Sequence, residues 1–128
     1  MNLLLDTHVA LWAIVDSPKL SQSARDLIRS ANTNVWISMA SVWEIAIKFA
    51  LRRGDMPISG RDAAKYFQDS GYRFLAVGAE HAVAVEELAP LHHDPFDRIL
   101  IAQASVEPMR LMTHDPQVAA YSDMIIKI

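Results

Sequence analysis

The chain predicts an α/β fold in which one mostly parallel sheet is covered by helices on both faces. Three observations carry this expectation. Leu3-Leu4-Leu5, Val35-Trp36-Ile37 and Leu111-Met112 are short apolar runs without polar alternation, the pattern of strands buried on both faces. A helical pattern follows each, and strands that alternate with helices assemble into parallel sheets. At 128 residues and 52% hydrophobic composition, the chain suits one domain spanning 1–128 around a substantial core.

Leu3-Leu4-Leu5 is the first strand, and Asp6-Thr7 ahead of His8 to Ile14 reads as a cap and an apolar helix. Ligands of parallel sheets bind outside the carboxyl ends of the strands, which is where Asp6 falls. Asp16-Ser17-Pro18-Lys19 breaks the pattern, and Ser21 to Arg29 carries Ala24, Leu27 and Ile28 at the spacing of an amphipathic surface helix. Asn34 to Ser38 is the second strand. It runs into a long helix from Met39 to Arg53 that Gly54 terminates.

On that helix Glu44, Lys48 and Arg52 fall at i, i+4 and i+8, a single polar stripe that can face a cleft and meet phosphates. Two structural readings stand beside this one. Ser41-x-x-Glu44 fits a capping box, and Glu44 with Lys48 fits a helix ion pair contributing ~0.2–0.5 kcal/mol. Trp43, Ile47 and Leu51 exceed what one sheet face can cover, so this helix, with Trp12, is expected at an interface.

Asp55 to Gly60 is a loop, Arg61 to Ser70 a helix ended by Gly71, and Tyr72 to Val77 the third strand. Ala79 to Leu88 is a helix with Val83 and Leu88 inward, closed by Pro90. Next comes the stretch from His92 to Ala104, where Asp94 fits an N-cap, Pro95 the first helical position and Asp97 the third. The Ile99-Leu100-Ile101-Ala102 run behind them is too apolar for a surface helix. Arg98 falls four residues after Asp94 and can pair with it. Arg110 to Thr113 is the fourth strand, ending at His114-Asp115, and Pro116 starts a short helical turn. Met124 to Ile128 is an edge strand.

Composition excludes several function classes. Without cysteine there is no disulfide, thiolate chemistry or cysteine-ligated zinc, which fits a reducing, cytoplasmic setting. The N-terminus lacks the basic region of a signal peptide, and no apolar stretch reaches the ~18–20 residues of a membrane span, so a soluble protein with no membrane partner is expected. A net charge of −3 argues against nucleic-acid binding by bulk charge and leaves room for a local basic strip. The histidines at 8, 81, 92, 93 and 114 show no helical H-x-x-x-H spacing that would favour zinc.

Asp6, Glu44, Asp97 and Asp115 each sit where a cap would, yet all fall at strand ends or helix starts that one sheet edge can bring together. Two unit charges ~4 Å apart interact by about 4 kcal/mol at an effective dielectric of about 20, so a bare cluster would protonate in part or destabilise the domain. A divalent cation resolves the repulsion. An all-oxygen ligand set favours a hard ion, Mg²⁺ or Mn²⁺, and the implied reaction is metal-assisted phosphodiester hydrolysis. A haloacid-dehalogenase-like phosphatase would need a second aspartate where His8 stands. A receiver domain would need one at the end of the third strand, and Leu75-Ala76-Val77-Gly78 supplies none. A binding module without turnover would lack one of the acids, and all four are present.

Leu-Leu-Leu-Asp6-Thr-His, Ser-Val-Trp-Glu44-Ile-Ala-Ile-Lys, His-His-Asp-Pro-Phe-Asp97-Arg-Ile-Leu-Ile-Ala-Gln-Ala and Thr-His-Asp115 together resemble the PIN-domain family, in particular VapC-type toxins of toxin–antitoxin pairs. The resemblance implies a three-layer α/β/α fold with strand order 3-2-1-4-5 and Mg²⁺- or Mn²⁺-dependent endoribonuclease activity. It places the metal site on Asp6, Asp97, Asp115 and Glu44, with Asp94 as a secondary acid. Asp6 and Asp97 would contact the metal directly, Asp115 directly or through water, and Glu44 would orient or deprotonate the attacking water. Thr7 and Thr113 would bond phosphate or carboxylate oxygens, or cap turns, and Lys48 and Arg52 are candidate RNA contacts. By analogy, the substrate would be structured RNA such as tRNA or ribosomal RNA, and the partners a cognate antitoxin and a second copy of the chain.

Overall fold

The computed structural model describes residues 1–52 and 55–128; Arg53 and the predicted helix stop at Gly54 lie outside them. Strands β1 (Asn2–Leu5), β2 (Asn34–Ser38), β3 (Arg73–Leu75), β4 (Arg110–Thr113) and β5 (Ile126–Lys127) form one sheet in the order β3-β2-β1-β4-β5. All pairings are parallel, and Leu4 lies in register with Trp36 on one side and Leu111 on the other. This is the order implied by the family resemblance.

Successive strand residues point to opposite faces, so the leucines of β1 feed two cores. Leu3 and Leu5 pack with residues of α1 (Thr7–Val15), α2 (Gln22–Arg29), α3 (Met39–Ala50) and α4 (Gly60–Asp69), among them Val9, Ile28, Ile45 and Phe67. Leu4 joins Leu111 with Leu100 and Ile101 of α6 (Pro95–Val106) and Val118 of α7 (Pro116–Ala119). Each fully buried leucine contributes ~1.5–3 kcal/mol, which makes β1 the anchor of both helix layers. Helix α5 (Ala79–Ala84) packs against α6. Helix α3 is fixed in turn by α4, whose Gly60 lies so close that a Cβ would stand 2.7 Å from that of Ala46. No helix among the described residues is long and apolar enough to cross a membrane.

Several local expectations are corrected. Ser38, not Ser41, caps α3, its hydroxyl accepting from the Ala40 N–H at 3.0 Å; Ser41 lies a turn inside the helix, so there is no Ser41–Glu44 capping box. Helix α3 ends at Ala50, and Arg52, at φ 53°, turns off the predicted stripe. The helix from Ala79 stops at Ala84 and passes into a 3₁₀ turn over Val85–Glu87. It directs His81 inward and leaves Val83 59% exposed, because one and a half turns present only one residue to α6. The third strand is only Arg73–Leu75, and the final edge strand only Ile126–Lys127.

Candidate active site

The strand order reverses direction between β1 and β4, and the crevice beyond their carboxyl ends is where such sheets bind ligands. Asp6 follows β1 there and Thr113 ends β4. The Thr113 hydroxyl donates to Asp6 Oδ2 at 2.5 Å, while Asp6 Oδ1 accepts from the Val9 N–H at 2.9 Å and so caps α1. The Thr7 hydroxyl donates to Glu44 Oε1 at 2.7 Å and lies 3.0 Å from Ser41 Oγ. Lys48 Nζ is 2.5 Å from Glu44 Oε2. Thr113 also accepts from the Asp115 N–H at 3.0 Å, and Asp115 caps α7 through the Gln117 N–H at 2.8 Å.

The loop ahead of α6 completes the set. His92 Nε2 stands 2.8 Å from Asp97 Oδ2 and 3.3 Å from Asp115 Oδ2. Two polar clusters therefore meet at the chain neighbours Asp6 and Thr7: Lys48, Glu44, Thr7 and Ser41 on one side, and Asp6, Thr113, Asp115, His92 and Asp97 on the other. The four acids singled out in the sequence stand at one end of the sheet.

Capping explains only part of this arrangement. Asp6, Asp94 and Asp115 each accept a backbone N–H at the start of a helix, but Glu44 and Asp97 cap nothing. Burial raises the carboxyl of Asp6 above its ordinary range; the bonds from Thr113 and Val9 and the nearby His8 oppose the rise, and the charge of Glu44 adds to it. Burial likewise pushes Asp97 up to about 6, reinforced by the charges of Asp94 and Asp6 and opposed by His92. The acids thus feel one another across the crevice.

His92 is the site residue that helical spacing missed, because a loop histidine obeys no helical period. Its Nδ1 accepts from the His93 N–H at 3.0 Å, so the lone pair is at Nδ1 and the proton on Nε2, facing the acids. The loop is held by Tyr121, whose hydroxyl accepts from the Leu91 and His92 N–H groups at 3.2 and 2.9 Å. Arg98 does not pair with Asp94. It donates to the carbonyls of Val85, Ala89 and His92 and to Tyr121, because the same loop wraps over its guanidinium. Of the two candidate phosphate contacts, Lys48 reaches Glu44 and Arg52 is exposed beyond the helix end.

The donor set suits a hard cation. Its oxygens come from buried or half-buried carboxylates, their mutual repulsion is already visible in Asp6 and Asp97, and the histidine at hand presents N–H rather than a lone pair.

The PIN domain family model matches residues 3–123. No curated protein matches the sequence. Among solved structures, the fold resembles VapBC2 from Rickettsia felis bound to a promoter DNA fragment, with TM-score 0.70, 16% identity and coverage of 99% of this chain and 98% of that one. It also resembles VapBC-1 from nontypeable Haemophilus influenzae, with TM-score 0.67, 15% identity and coverage of 100% and 97%. A third likeness, with TM-score 0.64, 16% identity and coverage of 98% of each chain, is to VapC20 of Mycobacterium tuberculosis, described as a sarcin-ricin loop cleaving toxin.

Proposed function

The chain belongs to the PIN domain family, and from that premise we propose that it is a Mg²⁺- or Mn²⁺-dependent endoribonuclease, the toxin of a toxin–antitoxin pair. The observation that carries this reading is that Glu44 and Asp97, which cap no helix, gather with Asp6 and Asp115 at the sheet's switch point, where the charges of Glu44 and Asp6 act on one another and Asp6 acts on Asp97.

Asp6, Asp97 and Asp115 would hold the cation, with Asp94 as a secondary acid. A bound divalent ion supplies charge neutralisation and polarises the scissile phosphate. Thr113 and Thr7 orient the carboxylates of Asp6 and Glu44. Glu44 positions the attacking water and takes its proton as the new P–O bond forms; the bond to the leaving sugar oxygen breaks, and that oxygen is protonated from solvent. Lys48 meets a phosphate by exchanging its bond to Glu44, and Arg52 contacts the strand further out.

The named likenesses support this reading: two are VapBC structures, which favours an antitoxin partner, and one is described as a sarcin-ricin loop cleaving toxin. A second support is the apolar groove of about 700 Å³ lined by Trp43, Val77, Val85 and Phe96, with Trp43 63% exposed. Such a surface suits an antitoxin segment or a second copy of the chain. Light scattering on the free protein, with a pull-down against the product of a neighbouring antitoxin gene, checks it: a monomer that binds no antitoxin contradicts the partner reading. The nuclease itself is tested by incubating the protein with ribosomal RNA and tRNA in Mg²⁺, Mn²⁺ or chelator. Cleavage should require the metal and vanish in Asp97→Asn; cleavage undiminished by either change contradicts it.

A further inference from the structure

We propose that His92 is a placeholder for the cation, a hydrogen-bond donor to Asp97 that stands against Asp115 in the metal-free protein and withdraws when metal enters. The inference rests on the metal centre proposed above and concerns how its occupancy is regulated.

One ligand atom each from His92, Asp97 and Asp115 lies within 4.8 Å of the others, a spacing that taken alone reads as a three-residue metal site. The wiring of the ring argues otherwise. Nδ1 faces the His93 N–H at 3.0 Å and the Asp94 N–H at 3.5 Å, so that nitrogen carries the lone pair and Nε2 the proton. To become a ligand, Nε2 would have to pass its proton to Nδ1, which would then point N–H against N–H. As held, the imidazole donates to Asp97 and turns the same N–H edge toward Asp115, 3.3 Å away. It supplies in part the attraction that a cation would supply in full.

The ring can leave without the loop. The His92 side chain is 15% exposed, while its backbone N–H is tied to the Tyr121 hydroxyl at 2.9 Å, so rotation about χ1 moves the imidazole without moving the loop. What is lost is the Nδ1 bond to His93 and the two carboxylate contacts. Metal binding must therefore exceed these losses, and the acids stay closed to cation until its free concentration is high enough.

The test is calorimetric titration of Mn²⁺ into metal-free wild type, His92→Ala and His92→Gln, with melts of each in chelator. Removing the donor that holds Asp97 beside Asp115 should tighten Mn²⁺ binding about tenfold and lower the melting temperature in chelator. His92→Gln places an amide N–H where Nε2 was and should return both quantities toward wild type. Equal or weaker Mn²⁺ affinity in His92→Ala overturns the placeholder, weaker binding marking the ring as a ligand. Nitrogen NMR of the wild-type imidazole needs no variant: added Mg²⁺ should shift the still-protonated Nε2 out of its carboxylate bond, and an unmoved signal overturns the proposal. Absence of Mn²⁺ binding in all three proteins overturns the metal centre along with it. Binding that is lost in Asp97→Asn but unchanged in His92→Ala overturns the placeholder alone.

Discussion

Helix α6 has a histidine–carboxylate pair at each end, and comparing them separates a site from a brace. At its start His92 Nε2 lies 2.8 Å from Asp97; at its finish His81 Nε2 lies 2.6 Å from Glu107. Both rings accept a backbone N–H at Nδ1, from His93 and from Gly78. The surroundings differ. His81 is 2% exposed and has one close acid, Glu80 standing 3.9 Å away, whereas His92 serves Asp97 and Asp115 beside Asp6, Asp94 and Glu44. At the first end three further acids crowd the pair; at the second only the exposed Glu80 stands near it. It is the surplus, not the pairing, that asks for a cation.

The comparison can be broken by exchanging charge at either end. The largest effect is expected at the first: Asp97→Asn should lower Mg²⁺-dependent RNA cleavage by about a hundredfold or more. Glu107→Gln should leave it within about threefold, and a gel assay on ribosomal RNA measures both. A loss in Glu107→Gln as deep as in Asp97→Asn would erase the distinction.

A second difference lies in the response to pH. The folded state holds the Asp97 proton up to about 6, the unfolded chain only to about 4. Between those values the folded protein binds more protons, so the stability of the metal-free protein falls as pH climbs from about 4 through about 6. Raised by burial, Asp6 contributes in the same direction. Because Asp97 is partly exposed and screened, its share is on the order of 1–2 kcal/mol, and Asp97→Asn should flatten that part of the profile in denaturant melts across this range. The second end sharpens the contrast through stability alone: Glu107→Gln should cost about 1 kcal/mol, equally in chelator and in Mg²⁺. Smallest is Arg52→Ala, which lies off the helix stripe and should raise the KM for RNA by about twofold while leaving kcat unchanged.

What the sequence made legible follows the range of the forces involved. The β1 leucines declare a strand buried on both faces through local pattern alone, and Asp94-Pro95 marks the start of α6 because a cap and a first-turn proline act within a few residues. Asp6, Asp97 and Asp115 follow such local signals, whereas Glu44, inside α3, stood out through the polar stripe and the family motif. The rest depends on long-range closure. Nothing near His92 announces that Tyr121, 29 residues away, will hold its loop, or that the loop will take the guanidinium of Arg98 from Asp94. Likewise Ser41 matches a capping pattern, but Ser38 stands where the strand actually ends.

The central claim is that Asp97 belongs to an acid cluster built for a cation and is more than a first-turn acid of α6. Thermal melts of wild type and Asp97→Asn at pH 7, in chelator and in excess Mg²⁺, test it most directly. Neutralising one of the crowded acids should stabilise the metal-free protein. Mg²⁺ should raise the wild-type melting temperature as a ligand of the folded state, and raise that of the variant far less. A helix-dipole acid alone would behave in the opposite way: the variant would lose ~0.3–1 kcal/mol and Mg²⁺ would shift neither protein. A metal-free variant less stable than wild type, together with a wild type indifferent to Mg²⁺, would contradict the account.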